Sequence, residues 1–314
     1  MGSSGASSPH SAGGDSGRLA GRSTLCPYRA YGDAWDGDTR LLRRDIRADT
    51  NRTRMPEPVW IGPPPPARPR RIVSLVPSLT EALAALGLDD ETVGLTRFCV
   101  HPAGWKQRKT IVGGTKTVDV ARVLGLRPDL VVANREENER APVEALAAAG
   151  VPVYVSDIAT VDDALAALRD LGRSTGREAE AERLASDLAA RFAALPQPAA
   201  PVRAVYLIWR DPWMTVGADT IVHDVMARGG LANAFGDRTR YPAVTAAEIA
   251  AVQPDVVLLS SEPFPFREAH AAEVRAFAPG AHVALVDGEA FSWYGPRLGA
   301  APDAMAGVLR QIGL

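Results

Sequence analysis

The sequence predicts an α/β protein: two similar lobes with mainly parallel sheets, joined by one long helix and preceded by a flexible N-terminal tail. Three observations carry this expectation. Arg127-Pro128-Asp129-Leu130-Val131-Val132-Ala133-Asn134 is echoed by Gln253-Pro254-Asp255-Val256-Val257-Leu258-Leu259-Ser260. Each copy is a Pro-Asp turn followed by a short unbroken apolar run, the pattern of a strand buried on both faces. Helical and strand patterns alternate around each copy, which calls for a parallel sheet. Between the copies, Val161 to Leu195 contains no proline and carries Leu184, Leu188, Phe192 and Leu195 on one face. As one helix it would span roughly 50 Å, more than a crossover inside one small lobe needs.

In chain order, residues 1–68 are expected to be a flexible tail. They are rich in Gly, Ser, Arg and Asp and end in Pro63-Pro64-Pro65-Pro66, a stiff spacer. Tyr28, Tyr31, Trp35 and Trp60 suit the alternative of a segment that docks on the body or on a partner. Residues 69–158 form the first lobe. It opens with a strand at Arg71–Val76, and Ser78-Leu79-Thr80-Glu81 reads as a capping box that starts a helix. A strand at Val93–Leu95, a loop from Thr96 to Thr117, helices at Val118–Leu126 and Ala141–Ala149 and strands at Asp129–Ala133 and Val151–Ser156 follow. Residues 159–197 are the linking helix, with Gly172 and Gly176 as points where it would kink. Residues 198–314 form the second lobe: a strand at Val202–Trp209, a helix at Thr220–Arg228, a loop from Asn233 to Val244, the second copy of the repeat, a helix at Arg267–Phe277, a strand at His282–Val286, a loop over Asp287–Arg297 and a closing helix.

The chain of 314 residues has a formal net charge of -2, which provides no electrostatic case for nucleic acid or an anionic membrane surface. No apolar run approaches the roughly 18 residues of a membrane span. The two cysteines, Cys26 and Cys99, do not make a disulfide framework. As written, the start lacks a signal-peptide pattern, so the expected location is cytoplasmic, with a periplasmic or extracellular one if the native start differs.

Candidate site residues follow from position. Ligands of open parallel sheets sit beyond the carboxyl ends of the strands. Glu136-Glu137-Asn138-Glu139 follows the first repeat strand and Ser261-Glu262 the second, so a ligand is expected between the lobes. Aromatic residues concentrate on loops and strand ends, as they do in small-molecule clefts. Phe98, Trp209, Tyr241, Phe266, Trp293 and Tyr294 are the expected apolar walls, with Glu262 as a polar contact. Ordinary packing between the lobes is the alternative. Cys99 and His101 stand two apart on one loop, and with Glu137 and Glu289 they make a candidate metal-ligand set. A lone cysteine is also commonly a small buried hydrophobe. Walker A, Gly-x-Gly-x-x-Gly, Gly-x-Ser-x-Gly and His-Glu-x-x-His patterns are missing, and Gly113-Gly114-Thr115-Lys116 reads as a turn.

RIVSLVPSLTE at Arg71–Glu81, VARVLGLRPDLVVAN at Val120–Asn134, the long helix and the stretch Ile249–Ser260 resemble the class III periplasmic-binding-protein fold, the helical-backbone metal receptors. Over about Arg71 to Leu314 the chain is similar to the vitamin B12-binding proteins of cobalamin importers. FCVHP, the Glu136-Glu137-Asn138 triplet, SSEPFPF and DGEAFSWYG look like a metal-receptor-like subfamily. The resemblance implies a non-enzymatic protein that holds a small molecule, a metal ion or a metal chelate such as a corrinoid, haem or siderophore in the cleft between the lobes. A transition metal or a metal chelate is thus the expected cofactor or cargo. Thr115 stands where the vitamin B12 binders carry a tryptophan, which puts a corrinoid in doubt. Ala121 stands where they carry a docking glutamate; Tyr241 and Glu248 lie near the second lobe's aromatic contact and docking acid. Docking on a transporter is in doubt as well. Two further readings stay open: an enzyme on the same fold using cleft carboxylates for acid-base chemistry, and an interaction scaffold that acts through the tail.

Overall fold

The computed structural model describes residues 59–314. Most of the expected tail, with Cys26, Tyr28, Tyr31 and Trp35, lies outside the described residues. The first lobe runs β1 (Val59–Ile61), β2 (Ile72–Ser74), α1 (Pro77–Ala85), β3 (Thr92–Leu95), α2 (Trp105–Arg108), β4 (Thr110–Ile111), α3 (Val120–Gly125), β5 (Leu130–Asn134), α4 (Arg140–Ala148) and β6 (Val153–Ser156). Two helices follow, α5 (Val161–Thr175) and α6 (Glu178–Ala193). The second lobe runs β7 (Val202–Leu207), β8 (Trp213–Met214), α7 (Ile221–Arg228), β9 (Leu231–Asn233), β10 (Ala243–Val244), α8 (Ala246–Ala251), β11 (Val256–Ser260), α9 (Glu268–Phe277), β12 (His282–Val286), α10 (Gly288–Ser292), a 3-10 turn (Pro296–Ala300) and α11 (Ala301–Gln311).

The first sheet has the order β1-β6-β5-β2-β3-β4, and the second β12-β11-β7-β9. All pairings in both are parallel except β1 on β6. The repeat strands β5 and β11 occupy interior positions in the two sheets, flanked on both sides, and every residue of each is buried. A separate antiparallel ribbon, β8 with β10, sits in the second lobe.

The Pro-Asp repeat builds the same turn twice. Arg127 and Gln253, each ahead of the proline, are left-handed at φ 49° and 48°. Asp129 accepts from the Arg70 and Arg71 amides at 2.8 Å each, and Asp255 accepts from the Arg203 amide at 2.8 Å. The side chains of Arg71 and Arg203 then reach back to the last carbonyls of the preceding helices, donating to Leu126 O at 2.8 Å and Val252 O at 3.0 Å. Each aspartate thereby joins the start of its strand to the start of the neighbouring one and satisfies groups that a helix end leaves open.

Four expectations are corrected. The tail boundary at residue 68 is too late: Val59-Trp60-Ile61 pairs with β6, and Trp60 packs edge-on to Tyr154 with ring centroids 5.3 Å apart. An apolar segment of that kind covers an otherwise open sheet edge. The capping box at Ser78 does not form. The helix starts one residue earlier with Pro77 in its first turn, as its fixed φ favours. Thr80 donates instead to Val76 O at 2.9 Å, and Glu81 pairs with Arg297. The loops over 96–117 and 287–297 contain short elements, α2, β4 and α10.

The fourth correction concerns the linker, which is not one long helix. Gly176 ends α5 in the left-handed conformation at φ 68° and ψ 34°, its amide bonded to Gly172 O. α6 turns back against α5. Arg169 grips Glu182 with bonds of 2.7 and 2.9 Å, and a Cβ added at Gly172 would stand 2.4 Å from Ala181 Cβ. The N-terminus of α5 is tied to the second lobe, with Val161 N donating to Asp224 at 2.8 Å. α6 starts beside the first lobe, where Arg177 donates to Gly87 O at 3.2 Å, and its later part meets Gly299 through Leu188.

One apolar cluster runs through both lobes and the helix pair. A second is confined to the second lobe. Strand alternation sorts residues between them: Tyr206 and Leu258 join the shared cluster, while Leu207 and Leu259 join the local one.

Candidate cleft between the lobes

The strand tips of the two sheets organise their acidic loops in parallel ways. In the first lobe, buried Asn134 ends β5. Its Oδ1 accepts from the amides of Glu136 at 2.8 Å and Glu137 at 3.1 Å. Its Nδ2 donates to Ser156 at β6, and Asn138 returns to accept from Asn134 N at 2.9 Å. In the second lobe, Ser260 ends β11. Its hydroxyl accepts from Tyr206 at 3.1 Å and from Glu262 N at 3.3 Å. Gly288 is required there. A Cβ on it would stand 2.2 Å from Ser260 Oγ and 2.7 Å from Glu262 Cγ.

Between the tips lies a cavity of about 420 Å³ with walls from both lobes. Val76, Phe98, Val100, Lys116, Glu136 and Glu137 contribute from the first, and Tyr206, Ile208, Tyr241, Glu262, Glu289, Trp293 and Tyr294 from the second. Of the expected wall residues, Phe98, Tyr241, Glu262, Trp293 and Tyr294 line it, as do Glu137 and Glu289.

Trp209 and Phe266 do not line it, which corrects that expectation. Both are buried in ring packing within the second lobe. Trp209 meets Phe264 edge-on at 5.7 Å, and Phe266 contacts Phe264 at 4.8 Å and stacks on Trp213 at 6.0 Å. Cys99 is also corrected. It is fully buried behind the wall, with Thr80 and Thr96 hydroxyls 3.0 and 3.2 Å from its sulfur. Burial pushes its thiol above the usual range, the wrong direction for a thiolate ligand. His101 pairs with Glu289 at 3.2 Å and sits edge-on to Trp293. Among the described residues, no three His, Cys, Asp or Glu side chains converge as a metal site would need. Cys99, His101, Glu137 and Glu289 therefore do not form one coordination set.

Lys116 and Asn134 are among the lining residues that the sequence did not single out as site residues. The Lys116 ammonium donates to Glu136 O at 2.7 Å and lies 3.9 Å from Glu139. A lysine within a Gly-Gly-Thr-Lys turn has no sequence signal that separates it from a surface lysine. Burial pulls its pKa down, opposed by the surrounding glutamates.

The carboxylates differ in how they are met. Glu136 accepts from the Tyr241 hydroxyl across the cleft, with Arg240 3.7 Å away. Burial still pushes its pKa up. Glu289 has His101 and Arg297 at 3.2 Å each. Glu262 Oε1 accepts from Ser292 at 2.9 Å and the Trp293 indole at 2.8 Å, both neutral donors, and burial raises it too. No hydrogen bond or ion pair reaches the Glu137 carboxylate from the described residues. Burial first, then the nearby Glu136, push it up to about 7, with Lys116 opposing.

The Periplasmic binding protein family model matches residues 72–277, which include most strands of both sheets and part of the cavity lining. The chain belongs to the periplasmic binding protein family. Among its relatives, the vitamin B12-binding protein of Pectobacterium carotovorum subsp. carotovorum (strain PC1) is 29% identical over 203 residues, covering 63% of this chain and 73% of that one. Similar solved structures include a periplasmic heme-binding protein from Roseiflexus sp. RS-1 in apo form, with a TM-score of 0.68, 23% identity and coverage of 77% of this chain and 99% of the other. The periplasmic vitamin B12 binding protein of Vibrio cholerae superposes with a TM-score of 0.65 at 23% identity, covering 79% and 99%. At these identities the two structures establish the shared fold of periplasmic binding proteins. Among the described residues, no helix is long and apolar enough to cross a membrane.

Proposed function

We propose that this chain is a solute-binding protein that holds a small organic ligand or metal chelate in the cavity between its lobes. The observation that carries the reading is the cavity itself, set between the strand tips of both sheets and walled with rings and charged side chains. Family membership and relatives that bind vitamin B12 and heme support it. Direct coordination of a bare ion is not part of the proposal, because the candidate ligands do not converge. Isothermal calorimetry with cobalamin, cobinamide, haem and a ferric siderophore is the test. Saturable one-to-one binding of at least one compound is expected, weakened about tenfold or more by Trp293→Ala, which removes an aromatic wall. Silence across the panel counts against the reading.

A second reading, catalysis in the same cavity, is favoured by one observation. A carboxyl group that titrates at about 7 in an apolar cleft is suited to proton transfer. Recovery of the bound compound unchanged after long incubation argues for binding alone. Conversion that Glu137→Gln abolishes argues for an enzyme.

A further inference from the structure

The charge inventory of the cleft narrows what it can hold. Two of its four glutamates have an arginine within 4 Å: Glu136 has Arg240, and Glu289 has Arg297, with His101 also in contact. The other two have none among the described residues. Among the described residues, Glu262 receives only the neutral donors Ser292 and Trp293. Glu137 receives no hydrogen bond or ion pair from the described residues. Lys116 donates to Glu136 O and lies 3.9 Å from Glu139, and its charge only partly offsets the burial of Glu137. Glu137 and Glu262 belong to opposite lobes and repel each other across the cavity. When ionised, two incompletely met carboxylates beside aromatic faces are costly to the empty protein and favour a positive partner. A carboxylate-bearing ligand would add like charge to them. A bare metal ion is unsuited, since no three ligating side chains converge among the described residues.

We propose that the ligand presents a positively charged organic group, such as an ammonium, between Glu137 and Glu262 and against the rings of Tyr241 and Trp293. This inference rests on the binding reading above and names the chemistry of its ligand. The charged group belongs either to a free amine or to a larger chelate that carries one.

Two porphyrins of near-equal size separate the alternatives. One is zinc protoporphyrin, with two propionates. The other is the same ring with each propionate converted to an amide ending in a primary ammonium. Spermidine serves as a cation without a chelate. Affinities are read by fluorescence quenching for the porphyrins and calorimetry for spermidine. The ammonium porphyrin, spermidine or both should bind at least about tenfold tighter than the propionate porphyrin. Glu137→Gln and Glu262→Gln should each weaken the cation about tenfold and leave the propionate form unchanged or tighter. Thermal unfolding of both variants checks that they fold. Spermidine binding alone assigns the charge to a free amine; ammonium-porphyrin binding alone assigns it to a chelate. Equal or tighter binding of zinc protoporphyrin overturns the cationic ligand and leaves the solute-binding function standing. If these three probes and the panel above all fail to bind, both fall.

Discussion

Glu137 shows what one residue contributes and costs. Burial pushes its carboxyl up to about 7 in the folded chain, from an ordinary glutamate value of 4.5. Below the lower value both folded and unfolded forms are protonated, and no penalty applies. Between the two the folded form holds a proton that the unfolded form has released, so stability falls as pH rises. Above about 7 the penalty is complete, on the order of 3 kcal/mol at most. Glu137→Gln should therefore raise the melting temperature at pH 8 and change it little at pH 4, as differential scanning fluorimetry would read. Glu136, Glu262 and Lys116 face the same group, and the first two are also pushed up by burial. A cationic ligand favours the ionised form, so its affinity should climb as pH rises through about 7 and level off above.

Asp129 shows the opposite case, a carboxylate spent on architecture. It accepts two backbone amides at 2.8 Å and holds the start of β5 beside the start of β2. Asp129→Ala should cost about 1–3 kcal/mol in urea unfolding, and Asp255→Ala in the second lobe should behave alike. Ligand affinity at saturating stability should be unaffected, because neither aspartate lines the cavity.

At the scale of elements, the helix pair is the least expected feature. Residues 161–195 have helical periodicity throughout, and periodicity alone cannot show that a helix stops and turns. Gly176 decides it. A side chain at φ 68° would pay about 1–2 kcal/mol of local strain. Gly176→Ala should destabilise by about that amount in urea denaturation. Gly172→Leu should cost more, because the added side chain has Ala181 Cβ 2.4 Å from its first carbon and nowhere to go without parting α5 from α6. A melting temperature for Gly172→Leu at or above that of Gly176→Ala would refute the packing argument.

The whole molecule is tied together more firmly than two lobes on a connecting helix would be. The main apolar cluster crosses between lobes, and a large apolar interface opposes independent domain motion. The cleft mouth adds polar ties: Arg297 to Glu81 by paired bonds of 3.1 and 2.8 Å, His101 to Glu289, and Tyr241 to Glu136. Small-angle scattering should change little when a ligand is added. Arg297→Ala removes the tie to Glu81 and, with it, the ion pair to the lining Glu289. It should speed ligand release in stopped-flow measurements while leaving the sheets intact by circular dichroism.

Much of this was legible along the chain because it is local or periodic. The Pro-Asp repeat, the buried runs of β5 and β11 and the acids just past each tip are set by near neighbours, and together they point to a cleft. Phe98, Tyr241, Trp293 and Tyr294 followed from ring-rich loops at those tips. Trp209 and Phe266 carried the same signal, yet their rings found partners in Phe264 and Trp213 instead. Lys116 gave no signal, since a lysine's surroundings are set by chain segments distant in sequence.

By itself, then, the order of residues determined two mainly parallel sheets, their central strands and the side of each sheet where the cavity lies, because turn chemistry and apolar periodicity act over a few residues. Only the tertiary structure decided which rings face the cavity, that Cys99 is packed away, that α6 turns back on α5, and that Glu137 and Glu262 confront each other without full compensation. Those outcomes depend on contacts across tens to hundreds of residues, where packing and charge are settled by whichever neighbours the fold brings near.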